Sequence, residues 1–399
     1  MTERRDRRGR GPPFQLFPDK WDLESIVGKR EVLEISVSFY FPSTGEHIIL
    51  HYRLVFVVLM LPLSLLYDLW FSLRGRLVFL LQSRPSKHRE KVAGLQREVR
   101  EGRKVRINLV DILELDPRRR VVVCEPHVTL AQLRARLDRV GWTLPVLPEL
   151  EQLTVGGLVM GAGIESSSHR AGLFQHICRS YELVLPDGSL VECSPQSDPE
   201  LFYSIPWSYG TIGLLTKVEI EIVPSRRFVR LDYIPTYSLE QLVETLEQEV
   251  ERRDGAQFLE CLLYSRDQAV LITANMVDCC EPDKLNEAGL WYKPWFYKHA
   301  KTFFKTGPGT EYLPLRDYYH RHSRSMFWEL EELIPFGNNL VFRYLAGWLM
   351  PPKVSLLKLT QGKTLKRLYE STHLVQVGIC LALASCNNCS LYFRTCWCR

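Results

Sequence analysis

Nothing in the 399-residue sequence repeats, and its cysteines are not spaced as a disulfide framework. Six of the eleven are scattered between Cys124 and Cys280, and the rest crowd the last twenty residues. The body therefore reads as a reducing-compartment protein with buried thiols. Charge of one sign is also lacking: 51 basic residues stand against 46 acidic ones. Ten of the basic residues sit in two short stretches, Arg4 to Arg10 and Arg97 to Arg106. That leaves no extended basic face, so no nucleic-acid partner is expected. With 46% hydrophobic and 24% charged residues, the chain is not a multi-span membrane protein, a fibrous repeat or a wholly disordered polymer. Its length suggests two or three domains.

Residues 1–51 open with five arginines in ten positions and carry no convincing signal or transit pattern, which predicts a poorly ordered arm. Leu54 to Leu73 hold one charge, Asp68, and match a hydrocarbon layer about 30 Å thick. A membrane anchor over 52–81 is expected, with a buried core helix or a monotopic anchor as the alternatives. Arg53 precedes the segment, whereas Arg74, Arg76, Arg84, Lys87, Arg89 and Lys91 follow it. That asymmetry predicts a single pass with everything after the helix in the cytosol.

Residues 82–103 read as a charged helical connector, and 104–224 as an α+β domain. Strands are expected at Arg106 to Val110 and Val121 to Glu125, joined through Asp116-Pro117-Arg118. Thr129 caps a helix carrying Leu130, Leu133, Leu137 and Val140. Ser180 to Leu185 and Leu190 to Cys193 form a hairpin, Asp198-Pro199 opens a short helix, and Val218, Ile220 and Ile222 alternate along a strand. A second α+β unit occupies 225–372, with a strand from Phe228, a helix boxed by Ser238 and Gln241, and a hairpin of Phe258 to Tyr264 with Val270 to Val277. It is aromatic from Trp291 to Trp348. The Cys-rich tail, 373–399, has no acidic residue. Cys386 and Cys389 have metal-ligand spacing but no well-placed histidine, so no metal site is expected, only a tail without a fold.

The most informative stretch is Thr154, Val155, Gly156, Gly157, Leu158, Val159, Met160, Gly161, Ala162, Gly163, Ile164, Glu165 and Ser166. Four glycines and an alanine in eight positions let backbone approach a ligand closely and expose N–H groups to phosphate oxygens. The spacing is neither a Walker A loop nor a dinucleotide fingerprint. A tight structural turn packed on a helix is the plainer alternative.

Its surroundings narrow the choice. Trp-Thr-Leu-Pro-Val-Leu-Pro-Glu-Leu at 142–150 precedes it, and Arg170-Ala171-Gly172-Leu173-Phe174 and Gly210-Thr211-Ile212-Gly213 follow. Lys293-Pro294-Trp295-Phe296, Tyr318-Tyr319-His320-Arg321-His322, Phe327-Trp328-Glu329-Leu330 and Ile334-Pro335-Phe336-Gly337-Asn338-Asn339 come later. This succession resembles the PCMH-type, vanillyl-alcohol oxidase-like flavoproteins and, within them, the Δ24-sterol reductase family, from about Tyr52 to Glu370. The resemblance implies an FAD-binding domain followed by a partial α+β substrate domain. It also implies FAD and NADPH as cofactors, a sterol substrate, a lipid bilayer as partner, and residence in the endoplasmic reticulum membrane, with the Golgi membrane as the alternative. The family's FAD-binding segment maps onto Thr154 to Ser166. Two departures stand out. A strand and an early phosphate-binding loop of the family have no counterpart between Gly102 and Lys104, and the likeness stops near Glu370. The chain thus reads as internally deleted and C-terminally truncated, with a non-catalytic, FAD-free isoform as the rival to an enzyme.

The implied reaction saturates the C24=C25 side-chain bond by protonation at C24 and hydride transfer to C25, so an acid is required. Among the aromatic run, His320 is the first candidate donor and Tyr319 the second, against the simpler reading of Tyr and Trp as core packing. Glu165 and His169 flank the glycines and read as loop-stabilising.

Overall fold

The computed structural model describes residues 61–105, 107–252, 254–265, 267–323, 336–349, 377–380 and 395–398. The expected N-terminal arm, residues 1–51, lies outside the described residues.

The first described helix, α1, runs Leu61–Gln82. It passes beyond the expected span and takes in Arg74 and Arg76, both exposed. Among the described residues no helix is long and apolar enough to cross a membrane, and residues 54–60 of the expected span lie outside them. The transmembrane expectation is therefore unsupported, because the helix continues into charged sequence. Helix α2, His88–Arg100, is no bare connector: Val92 and Leu95 are buried, and its polar side chains reach into the first sheet.

That sheet contains β1 (Ile112–Asp116), β2 (Val121–Cys124), β4 (Cys178–Val184), β5 (Leu190–Cys193) and β6 (Leu214–Glu221), in the order β1-β2-β6-β4-β5, with every pair antiparallel. The strand expected at 106–110 lies instead at Ile112–Asp116, paired across the Asp116 turn with Val121 opposite Asp116. The turn needs that register, since Asp116 Oδ1 accepts the Arg118 and Arg119 amides. The apolar residues before it, including buried Leu109, run as extended chain whose carbonyls take the Glu125 and His127 amides. Helix α3, Leu130–Asp138, starts on a full capping box between Thr129 and Gln132 and buries Leu130, Leu133 and Leu137. A two-residue strand β3, Trp142–Thr143, pairs with β7, Val223–Pro224. Between β3 and β4 lie α4 (Val155–Met160) and α5 (Ser168–Ala171), and α6 (Pro199–Ser204) follows β5 with Asp198 as its cap.

The second layer holds β8 (Phe228–Thr236), β9 (Phe258–Leu263), β10 (Ala269–Val277) and β11 (Gly309–Pro314), in the antiparallel order β11-β8-β10-β9. Helix α7, Leu239–Glu251, is capped by Ser238. Gln241 reaches back to the Tyr237 amide rather than to that of Ser238, so the box is displaced by one residue. Short helices α8 (Phe296–Lys301), α9 (Phe303–Thr306) and α10 (Leu315–Tyr319) cover the sheet, and α11 (Leu340–Ala346) follows later. One apolar core joins both layers, from Val122 and Phe174 to Tyr233, Phe296 and Tyr318. In the tail, Val377–Cys380 pairs antiparallel with Thr395–Cys398, so the stretch expected to lack a fold carries a strand pair.

Candidate functional site

The glycine-rich stretch divides in two. Thr154 caps α4, and the first turn spends its amides internally. Val155 donates to the Val128 carbonyl, Gly156 to that of Pro126 and Gly157 to Thr154 Oγ1. The expectation of N–H groups free for phosphate thus fails at the start of this helix. It holds further on, where the amides of Ala162, Gly163 and Ile164 make no hydrogen bond among the described residues. Three successive free amides can receive an anionic or carbonyl oxygen. Gly161 and Gly163, on either side of Ala162, cannot take a side chain without a shift: a Cβ would lie 2.8 Å from Phe174 Cβ at Gly163 and 2.9 Å from the Gly157 carbonyl at Gly161. Gly156 instead packs α4 on Pro126, where a Cβ would come within 2.7 Å.

A second feature lies against this turn and was not singled out in the sequence. Trp207 and Tyr209 both have positive φ, 64° and 52°, in a loop whose Trp207 amide donates to the Val159 carbonyl. Bulky residues in the left-handed region carry strain of about 1–3 kcal/mol each, a device that recurs at ligand sites. Both rings are largely exposed. Ser167 Oγ and Gln175 Oε1, just beyond the turn, are buried without a hydrogen-bond partner among the described residues. Free amides, orphaned polar atoms and a strained aromatic loop together fit a polar, planar cofactor.

The other wall is the end of α10 and the segment that follows it. Tyr318 donates to Ser166 Oγ (3.1 Å), and the Ser166 carbonyl accepts the Leu259 amide of β9. Tyr319 and Thr143 hydroxyls lie 3.0 Å apart, fully buried, and burial pushes the Tyr319 phenol above its ordinary range. His320 Nε2 lies 3.1 Å from Glu151 Oε1. That carboxylate is held down to about 2 by His320 and Arg134 against the cost of burial. His169, as expected, ties the loop down, bridging the Ser166 and Ala256 carbonyls. Glu165 does likewise by accepting the Glu149 and Ser166 amides.

Sequence reasoning missed the charged cluster behind this wall. Glu260 of β9 takes Arg321 Nε at 2.9 Å and His322 Nε2 at 2.5 Å, and Ser323 donates to Glu149 at 2.8 Å. Burial, reinforced by the neighbouring Glu165 and Glu260, pushes the Glu149 carboxyl up to about 8 despite Arg321. The shift favours the protonated form of the carboxyl. The motif at 318–322 was visible in the sequence; the carboxylates that it and the adjoining Ser323 meet come from 61 to 174 residues away.

Comparison with known proteins supplies the family. The FAD binding domain profile matches residues 92–194, a stretch that contains α4 and the free-amide turn. Delta(24)-sterol reductase of Homo sapiens is 50% identical over 363 residues, 83% of this chain and 70% of that protein. The chain belongs to the Δ24-sterol reductase family. Delta(24)-sterol reductase of Pisum sativum is 41% identical over 280 residues, 67% of this chain and 49% of its own length. L-gulonolactone oxidase of Mus musculus is 25% identical over 48% of this chain. The 363 positions matched to the human protein use 83% of 399 residues, about 331, so about 32 have no counterpart here.

Proposed function

We propose that this chain binds FAD and, with NADPH as electron donor, reduces the C24=C25 side-chain double bond of sterols of the desmosterol type. The observation that carries the reading is the free-amide turn at Ala162–Ile164 inside the matched FAD binding domain. FAD, when bound, supplies the hydride that such an alkene must accept at C25. Thr154 to Ser166 are the proposed binding segment: the amides of Ala162 to Ile164 hold polar oxygens, Thr154 and Gly156 fix α4, and Ser166 joins the turn to Tyr318. Protonation at C24 needs a donor. Tyr319 keeps its proton through burial, and His320 stands on an ionised Glu151; both border the segment that leads into α4. His320 remains our first candidate and Tyr319 the second. The protein is proposed to act at the endoplasmic reticulum membrane, or the Golgi membrane, held by a segment within 52–81.

A second reading has its own support. Within the aligned stretch, about 32 positions of the human relative are unmatched, and the expected site of the deletion is the family's early phosphate loop. A chain without that wall would be a membrane-bound isoform that holds no flavin.

One purification separates the two. The full chain, isolated in mild detergent, should carry flavin absorbance at one per chain, bleach anaerobically with NADPH and convert desmosterol to a product two mass units heavier. A folded, colourless chain that stays so after incubation with FAD rejects the catalytic reading in favour of the second. Flavin that oxygen reoxidises without any sterol turnover rejects the substrate assignment alone.

A further inference from the structure

The segment between β3 and α4 brings to the glycine turn one carboxyl that the proposed reaction leaves unused. The Glu149 amide donates to Glu165 Oε1 at 3.0 Å, and Glu165 Oε2 accepts the Ser166 amide at 3.3 Å. One carboxylate thus fixes Glu149 to the end of the turn, and Glu165 directly follows the free amides of Ala162, Gly163 and Ile164. On its other side Ser323 donates to Glu149 Oε1 at 2.8 Å. Glu149 Oε2 takes no hydrogen bond among the described residues. Ser323, Glu260 and Arg321 are buried, whereas Glu149 is half-buried, so the residue keeps an open side.

The charged groups that face this carboxyl are Arg321 from the segment after α10, Glu165 from the turn and Glu260 from β9, with His322 bonded to Glu260. Burial and the two carboxylates outweigh Arg321, which favours the protonated form. A protonated carboxyl offers acceptor oxygen and one O–H donor. Ser323 uses the acceptor, which leaves the donor for a bound molecule. The neighbouring free amides are donors too, so both suit acceptor atoms. A flavin dinucleotide is rich in these, as ring nitrogens, carbonyl oxygens and phosphate oxygens. An ionised Glu149 would turn a negative charge toward the same atoms. Some enzyme sites keep a carboxylic acid neutral so that it can donate in this way.

We propose that Glu149 donates a hydrogen bond to bound FAD and that its ionisation weakens cofactor binding. The proposal rests on the FAD reading above and adds the residue through which binding depends on pH. The test uses the full chain in mild detergent, with free and bound FAD separated by equilibrium dialysis between pH 6.5 and 9. With the carboxyl raised to about 8, linkage makes the dissociation constant rise about tenfold across this range. Gln keeps the shape, accepts from Ser323 and donates through its amide. Glu149→Gln should therefore bind within about threefold of wild type at pH 6.5 and stay flat to pH 9. Glu149→Leu lacks the donor and should bind about five- to thirtyfold more weakly at pH 6.5. Circular dichroism checks that each variant is folded, and the Gln comparison decides by itself if the Leu variant is not. Wild-type affinity that does not change with pH, or that falls in parallel with Glu149→Gln, overturns the proposal and leaves FAD binding standing. A folded chain that binds no FAD at any pH rejects the FAD reading and the proposal together.

Discussion

Two buried charge networks, one in each half of the molecule, are built to different rules. Under α2, Lys91 reaches Asp111 (2.7 Å) and Glu125 (3.2 Å), His88 bridges Glu125 (2.8 Å) and Glu182 (3.2 Å), and Lys217 closes on Glu182 (3.2 Å). Lys217 also reaches the more exposed Glu192 at 3.3 Å, so three cations face four carboxylates. Burial opposes each charge, yet the hydrogen bonds prevail: His88 is raised to about 9 and Glu182 is lowered to about 2. Between the layers the direction differs. Among the described residues, Arg321 and His322 both reach Glu260, and Arg321 also lies near Glu149 and Glu165. Burial outweighs that attraction at Glu149 and pushes its carboxyl up. One network fastens a helix to a sheet; the other keeps a titratable group beside the glycine turn.

Removing the Arg321 guanidinium should break the comparison hardest. Arg321 stacks on the Tyr318 ring at 4.2 Å and donates to Glu260 and the Tyr318 carbonyl, so its loss strands a buried carboxylate and loosens the wall that Tyr318 makes with Ser166. Arg321→Met is expected to cost about 3–5 kcal/mol in urea unfolding. A cost below about 1 kcal/mol would place the cluster in contact with water.

The network under α2 answers to pH instead. His88 has its folded value, about 9, above the ordinary 6.5. Its contribution is full below 6.5 and is lost as pH rises through 9. His88→Gln should therefore cost about 1–3 kcal/mol at pH 6 and progressively less toward pH 9.5. A cost that does not vary over that range would show that the imidazole acts through packing and not through charge.

What the sequence made legible follows from range. The Thr129 and Asp198 caps, the Leu190 hairpin and the alternation of Val218 and Ile220 were readable because each signal lies within a few residues of its effect. The Ile112 strand was misplaced by several residues because Ile107 to Val110 is as β-prone as Ile112 to Leu115; only the Asp116 turn fixes the register. The glycine stretch was recognised, but its division into a self-satisfied helix start and a free turn depends on the Val128 and Pro126 carbonyls, which no motif announces. His320 and Tyr319 were within reach as residue types. Glu149 was not, since a glutamate in a Pro-Glu-Leu triplet looks solvated until Ser323 and Glu165 close over it.

Glu149 also offers the gentlest test of the contrast. Its carboxyl is raised from 4.5 to about 8, so the folded state holds a proton that the unfolded chain has released. Folding stability must then fall as pH rises from about 4.5 to 8 and level off beyond, the opposite of an ordinary paired carboxylate. Gln has nearly the same shape and does not titrate. Glu149→Gln should match wild type at pH 5 and exceed it at pH 8.5, where the native carboxylate would crowd Glu165 and Glu260. The gain should appear as a higher Tm, by about 2–4 °C for each kcal/mol relieved in a domain of this size. If the two proteins instead keep parallel stability curves from pH 5 to 9, Glu149 is ionised throughout.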